Sequence, residues 1–163
     1  ASGCGDYRKG NAMAYWLMKS EPDAFGIDAL KKRGTEPWSG VRNYQARNFM
    51  RDQMKEGDLA FLYHSSCEQP GIYGLMQIAT KSYPDPTQFE RKSPYYDAKS
   101  TREEPRWWLV DVRYQRHLKH PILLPTLREH EARLRGLRLL MRGDRLSVSP
   151  VTAEHWKTIL SLE

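Results

Sequence analysis

Trp38-Ser-Gly-Val-Arg-Asn-Tyr-Gln-Ala-Arg-Asn48 is the stretch on which the reading of this chain turns. It sets an indole, a glycine, two arginines, a tyrosine and two asparagines around the entry to a helix. Asn43 is a good N-cap, because its side-chain oxygen can accept a backbone N–H of the first turn. Ala46, Phe49, Met50 and Met54 then recur at three- and four-residue steps. That spacing predicts a helix to about Met54 with one apolar face, leaving Arg47, Arg51 and Lys55 on the other. The same residues suit a flat ligand. An indole stacks on a base, and an asparagine carboxamide presents both a donor and an acceptor to its edge. Gly40 permits close backbone approach, and Arg42, Lys19 and the helix N-terminus favour a phosphate. This is equipment for recognition and poor equipment for breaking bonds.

Working outward, Ala14 to Lys19 predicts a buried first strand, and Ile27 to Lys32 a short helix closed at Gly34. Leu59 to His64 and Gly71 to Thr80 predict two strands paired across the Ser65–Pro70 loop. Ser82 to Arg106 holds Pro84, Pro86, Pro94 and Pro105, and is expected to be an irregular excursion. Trp107 to Gln115 predicts a strand, Pro125 to Leu134 an amphipathic helix, and Arg145 to Val148 a closing strand. Thr152 caps a last helix with Trp156, Ile159 and Leu160 facing inwards. The order β-α-α-β-β-loop-β-α-β-α implies an α+β domain: a small, curled, mostly antiparallel sheet or barrel with helices at its ends.

The 163 residues fit one domain, and 39% hydrophobic against 28% charged residues is a globular composition. The Gly-rich residues 1–12 are expected to be a disordered extension, with Met13 as the natural start and 13–163 as a single, monomeric domain. The formal charge is +6, of which Arg8, Lys9 and Asp6 contribute little, so the domain itself is basic. A basic domain favours an anionic partner, nucleic acid first. No apolar run is long enough to span a bilayer, so no membrane partner is expected. Cys4 and Cys67 stand far apart, which fits a reducing, cytoplasmic setting.

Other chemistries read less well. Tyr63-His64-Ser65-Ser66-Cys67 juxtaposes a histidine with hydroxyls and a thiol, but neighbours on a strand face opposite ways. His64 and Ser65 therefore read as pocket walls. His117 and His120 lack a carboxylate or cysteine to complete a metal set, and no phosphate-binding glycine loop is present. No metal or cofactor is expected. Trp16, in an apolar strand, reads as core. Trp38, among polar neighbours, reads as facing a ligand.

Seven motifs in order carry a resemblance: Tyr15-Trp-Leu-Met-Lys-Ser-Glu-Pro22, Trp38 to Asn48, Gly57-Asp58 with Phe61-Leu-Tyr-His-Ser65, Pro70-Gly-Ile72, Tyr83-Pro-Asp85, Tyr95-Tyr-Asp97 and Arg145-Leu-Ser-Val-Ser-Pro-Val151. Together they resemble the EVE domain family over nearly all of residues 14–162. The resemblance implies a PUA-like fold, a small curled mixed or antiparallel β-barrel with flanking helices, related to YTH and ASCH domains. It implies a non-catalytic module that reads a modified base in DNA or RNA. By motif position, the pocket would be bordered by Lys19, Ser20, Trp38, Gly40, Val41, Arg42, Asn43, Tyr44, Asn48, Tyr63, His64 and Ser65, with Ser147 as a further wall. Two rivals stand beside this reading. One is a metal-independent nuclease of the ASCH type using His64, Arg42 and Tyr63 or Asp58. The other is a protein-interaction module without base readout.

Overall fold

The computed structural model describes residues 13–163, so the extension expected over residues 1–12 lies outside the described residues. In chain order the elements are β1 (Tyr15–Ser20), α1 (Ile27–Arg33), β2 (Thr35–Pro37) and α2 (Tyr44–Asn48), which a π-helical turn (Phe49–Gln53) continues. Then come β3 (Leu59–His64), β4 (Gly71–Ile78), β5 (Tyr83–Pro84), a 3-10 turn (Pro86–Phe89), β6 (Trp108–Leu109) and β7 (Asp111–Leu123). The chain closes with α3 (Leu124–Glu129), 3-10 turns at Glu131–Leu134 and Arg138–Leu140, β8 (Val148–Val151) and α4 (Ala153–Leu160).

Six strands form one curled half-barrel sheet in the order β2-β7-β4-β3-β1-β8. β1 runs parallel to β3, and the other neighbours in the sheet are antiparallel. Register shifts at Leu62/Tyr63, Ile72/Gly74 and Leu75/Met76 break the ladder, and such bulges bend a strand and increase its twist. At Gly71 β7 leaves no room for a side chain: an added Cβ would sit 2.5 Å from the Ile122 carbonyl oxygen. The result is an α+β domain, as the element order implied.

The unbroken apolar run of β1 has a physical cause. The strand is covered on both faces, so its side chains need not alternate with polar ones. Trp16 and Met18 enter one core with Leu30, Trp38 and Met50, under α1 and α2. Leu17 enters another with Phe61, Leu127 and Trp156, under α3 and α4. There the Trp156 ring stacks on Phe61 at 3.9 Å and on Tyr15 at 4.7 Å, contacts worth about 0.5–1.5 kcal/mol each beyond area burial.

Several boundaries differ from the sequence reading. The helix expected to run to Met54 widens after Asn48, where the Met54 N–H reaches back to the Phe49 carbonyl at 2.9 Å; Met50 and Met54 are both buried by this turn. The helix expected over Pro125–Leu134 is α3 followed by a 3-10 turn. β7 continues to Leu123 despite Pro121, because the register jumps from Ile72↔Ile122 to Gly74↔His117 and asks no ladder bond of the proline. The closing strand is Val148–Val151 rather than Arg145–Val148. β2 is three residues ending in proline, too short for a periodic signal.

Candidate functional site

A cleft of about 640 Å³ opens where β1 and β3 end side by side. β1 contributes Lys19 and Ser20, the following turn Phe25, and the loop before α2 contributes Trp38, Ser39, Gly40, Val41 and Arg42. Ser65 and Ser66 enter from the end of β3, Arg145 and Ser147 from the approach to β8, and Tyr95 from the proline-rich excursion. Seven of the twelve residues placed at the pocket by motif position line this cleft: Lys19, Ser20, Trp38, Gly40, Val41, Arg42 and Ser65. Ser147 joins them.

The other five lie outside its lining, each for a definable reason. The Asn43 carboxamide oxygen accepts the Ala46 N–H at 2.9 Å and so caps α2. Tyr44 stacks on Trp107 at 4.8 Å, with the Arg47 guanidinium against its ring. The Asn48 oxygen accepts from Arg47 Nε at 2.9 Å. Tyr63 points into the core beneath α3 and α4, where burial pushes its hydroxyl pKa up. His64 faces the opposite way and stacks on Tyr73 at 4.1 Å.

Trp38 is more enclosed than its polar neighbours in sequence suggest. Its backbone N–H bonds to the Val110 carbonyl at 2.9 Å, which draws the loop onto the sheet. The indole meets Phe25 edge-on and is only 6% exposed, so a strip of ring, not a whole face, reaches the cleft. Arg42 is committed as well. Its guanidinium donates to Asp85 Oδ2 at 3.2 Å, to Thr87 Oγ1 at 3.1 Å and to the Tyr95 carbonyl at 2.8 Å. It binds the excursion to the barrel rather than standing free for a phosphate.

The excursion is therefore a built wall. Asp85, fully buried, also accepts the Gly40 N–H at 2.8 Å. Gly40 has φ +87, and an added Cβ would lie 2.7 Å from the Tyr95 ring, so glycine meets both a conformational and a steric demand. Tyr95 is 40% exposed and gives the cleft its most accessible aromatic surface. Sequence reasoning quoted Tyr95-Tyr-Asp97 as a motif but had no means of bringing it to Gly40 and Arg42.

The Lys19 ammonium has no hydrogen-bond or ion-pair partner among the described residues. Burial lowers its pKa, and the charge of Asp144 works against that shift. Hydroxyls of Ser39, Ser65 and Ser147 lie around the cleft, while Ser20 Oγ donates to the Phe25 carbonyl at 2.6 Å. The groups named for a nuclease do not converge. His64 Nε2 accepts the Ile27 N–H at 3.2 Å, Tyr63 faces the other core, and Asp58 bonds Trp16 Nε1 at 3.0 Å near the start of β3. Among the described residues no group of three or more His, Cys, Asp or Glu side chains is placed to hold a metal. His117 turns to Asp28 at 2.6 Å. No helix among them is long and apolar enough to cross a membrane.

His64 gives a pH-dependence. Burial lowers its pKa, offset in part by Asp28 and reinforced by His117. The unfolded chain then binds the proton more readily, so this contribution to stability is complete above about pH 6.5 and is lost as pH falls through it. We expect the wild type to lose stability relative to His64→Gln as pH falls below about 6.5, by no more than about 1.4 kcal/mol per pH unit. Urea denaturation at stepped pH measures the difference, and a difference that stays flat would rule it out.

Comparison with known proteins places this geometry. The EVE domain family model matches residues 14–162. Mouse thymocyte nuclear protein 1 is 47% identical, over 94% of this chain and 75% of the mouse protein. A crystal structure from Pseudomonas syringae superposes with TM-score 0.88 at 50% identity, covering 91% of this chain and 99% of that one. The human THYN1 protein, in complex with DNA containing 5-methylcytosine, superposes with TM-score 0.87 at 44% identity, covering 91% of this chain and 96% of that chain.

Proposed function

The chain belongs to the EVE domain family, and from that premise we propose that it binds DNA non-catalytically and accepts a modified base in the Trp38–Tyr95 cleft. The observation that carries the reading is the cleft itself, whose aromatic walls and unpaired lysine sit on a rigid frame, in a fold shared with a protein crystallised on 5-methylcytosine DNA. Its volume of about 640 Å³ lies within the range of small-ligand sites. Tyr95, with Trp38 and Phe25 behind, supplies the stacking surface. Lys19 meets the sugar-phosphate, and the serine hydroxyls and backbone groups read the base edge.

Turning a base out of the stack costs a few kcal/mol, which stacking and edge contacts must recover. A methyl group buried against the aromatic wall adds about 0.8 kcal/mol, so preference for a methylated over a plain base from this term is about fourfold. We expect Tyr95→Ala to weaken binding to 5-methylcytosine DNA by about 1–3 kcal/mol, the usual range for a stacking residue. Its thermal stability should change little, because the ring is 40% exposed. Fluorescence anisotropy with methylated and unmethylated oligonucleotides at one salt concentration tests both statements. Equal affinity of Tyr95→Ala and wild type would remove Tyr95 from the site. Equal affinity of wild type for both oligonucleotides would remove the modified base from the reading.

A further inference from the structure

Residues 113–145 hold nine arginines and lysines against three acidic residues, Glu129, Glu131 and Asp144, an excess equal to the whole chain's formal +6. The net positive charge thus lies in β7 and the arm that follows it, the rest of the chain being neutral overall. Several arginines elsewhere are neutralised within the fold: Arg33 by Glu36, Arg42 by Asp85, Arg51 by Asp52 and Arg106 by Asp97. Arg133, Arg135, Arg142 and Arg145 differ. All four are exposed, and among the described residues no hydrogen bond or ion pair engages their guanidinium groups.

The arm that presents them is anchored. Leu134 and Leu137 are buried in the core under α3 and α4, Leu146 in the other core, and Arg138 pairs with Asp144 at 3.2 Å. Arg145 borders the base cleft, while Arg142 and Arg135 border a second cavity of about 510 Å³. Arg142 and Arg145 lie at most ~11 Å apart along the chain, so the charged rim runs on from one cavity to the next. At 3.4 Å of rise per nucleotide along one DNA strand, that distance matches about three phosphates.

We propose that the 133–145 arm is a phosphate track, over which the strand whose base enters the cleft lays its backbone. This rests on the reading of the protein as a DNA binder whose cleft takes a base, but not on preference for a modified one. Arginine is the side chain whose planar fork best matches phosphate oxygens. Held on a fixed arm, the four give up less freedom on binding than a mobile tail would.

The test is the Arg133→Ala/Arg135→Ala/Arg142→Ala variant, with Arg91→Ala/Lys92→Ala on the excursion as a charge control. We expect the triple variant to keep its Tm, to lose roughly tenfold or more in affinity at moderate salt, and to bind with a slope of log K against log salt shallower by about two to three. Methylated and plain DNA should suffer alike, leaving their ratio unchanged. An unaltered salt slope, or an equal change in the control variant, overturns the track. So does wild-type binding to anionic phospholipid vesicles without binding to DNA. A wild type that binds both DNAs equally, yet loses salt slope in the triple variant, keeps the track and removes the modified-base reading. Single Arg142→Glu, at an exposed position, provides the same readout if the triple variant is unstable.

Discussion

Replacing Asp85 by alanine is expected to destabilise the protein by about 3–5 kcal/mol, the range for removing one partner of a buried ion pair. The carboxylate is fully buried and accepts from the Gly40 N–H, the Thr87 N–H and hydroxyl, and the Arg42 guanidinium. Without it, two backbone donors and the Thr87 hydroxyl lose their acceptor at once, and the Arg42 guanidinium loses one of its acceptors. Asp85→Asn should recover little, because its amide turns a donor towards groups that are themselves donors. The functional loss should exceed the loss of stability, since Gly40, Arg42 and Tyr95 are positioned through this one side chain. Thermal unfolding should show a fall of roughly 10 °C or more. A Tm within 2 °C of wild type would mean that the excursion is held by other contacts.

Asp58→Ala should be nearly as severe, about 3 kcal/mol or more, through a different part of the fold. Only 4% exposed, Asp58 accepts from Trp16 Nε1 at 3.0 Å, the Lys55 N–H at 2.9 Å and the Ala14 N–H at 3.2 Å. It thereby fastens the start of β1 to the turn after α2. Trp16→Phe removes one donor and keeps most of the ring, so we expect about 1 kcal/mol from the lost hydrogen bond and somewhat more from lost packing. The double variant should cost less than the sum, because the indole N–H has no acceptor left to lose. Strict additivity in urea denaturation would show that the pair is not coupled. The same three bonds bear on the nuclease rival, since they hold Asp58 at the start of β3 and outside the lining of the cleft.

Legibility in the sequence followed range. The first strand was readable because an apolar run bounded by Ser20-Glu-Pro22 has few alternatives. The Asn43 cap was readable because its bond to Ala46 closes within one helical turn. That same bond decided between two roles left open by the sequence: the oxygen that caps α2 is turned towards its own helix. Trp38 lines the cleft but is more buried than its polar sequence neighbours imply, because Val110 and Phe25 reach it from elsewhere in the chain. Tyr95 was quoted without a place, since only the Asp85–Arg42–Gly40 network carries it to the cleft.

By itself the sequence determined the fold class and the basic character, because apolar periodicity, caps and composition are local or summed quantities, and seven motifs in order carried the family resemblance. Seven of the twelve residues named by motif position line one cleft, three at the ends of β1 and β3 and four in the loop before α2. Only the tertiary structure decided which polar groups are already spent. A hydrogen-bond donor or acceptor is read from sequence as capacity, and its availability depends on partners that arrive from elsewhere in the chain. Arg42 is engaged by Asp85 and Tyr95, His64 Nε2 by Ile27 and the Asn48 oxygen by Arg47, while among the described residues the side chains of Lys19, Arg133, Arg135, Arg142 and Arg145 make no hydrogen bond or ion pair.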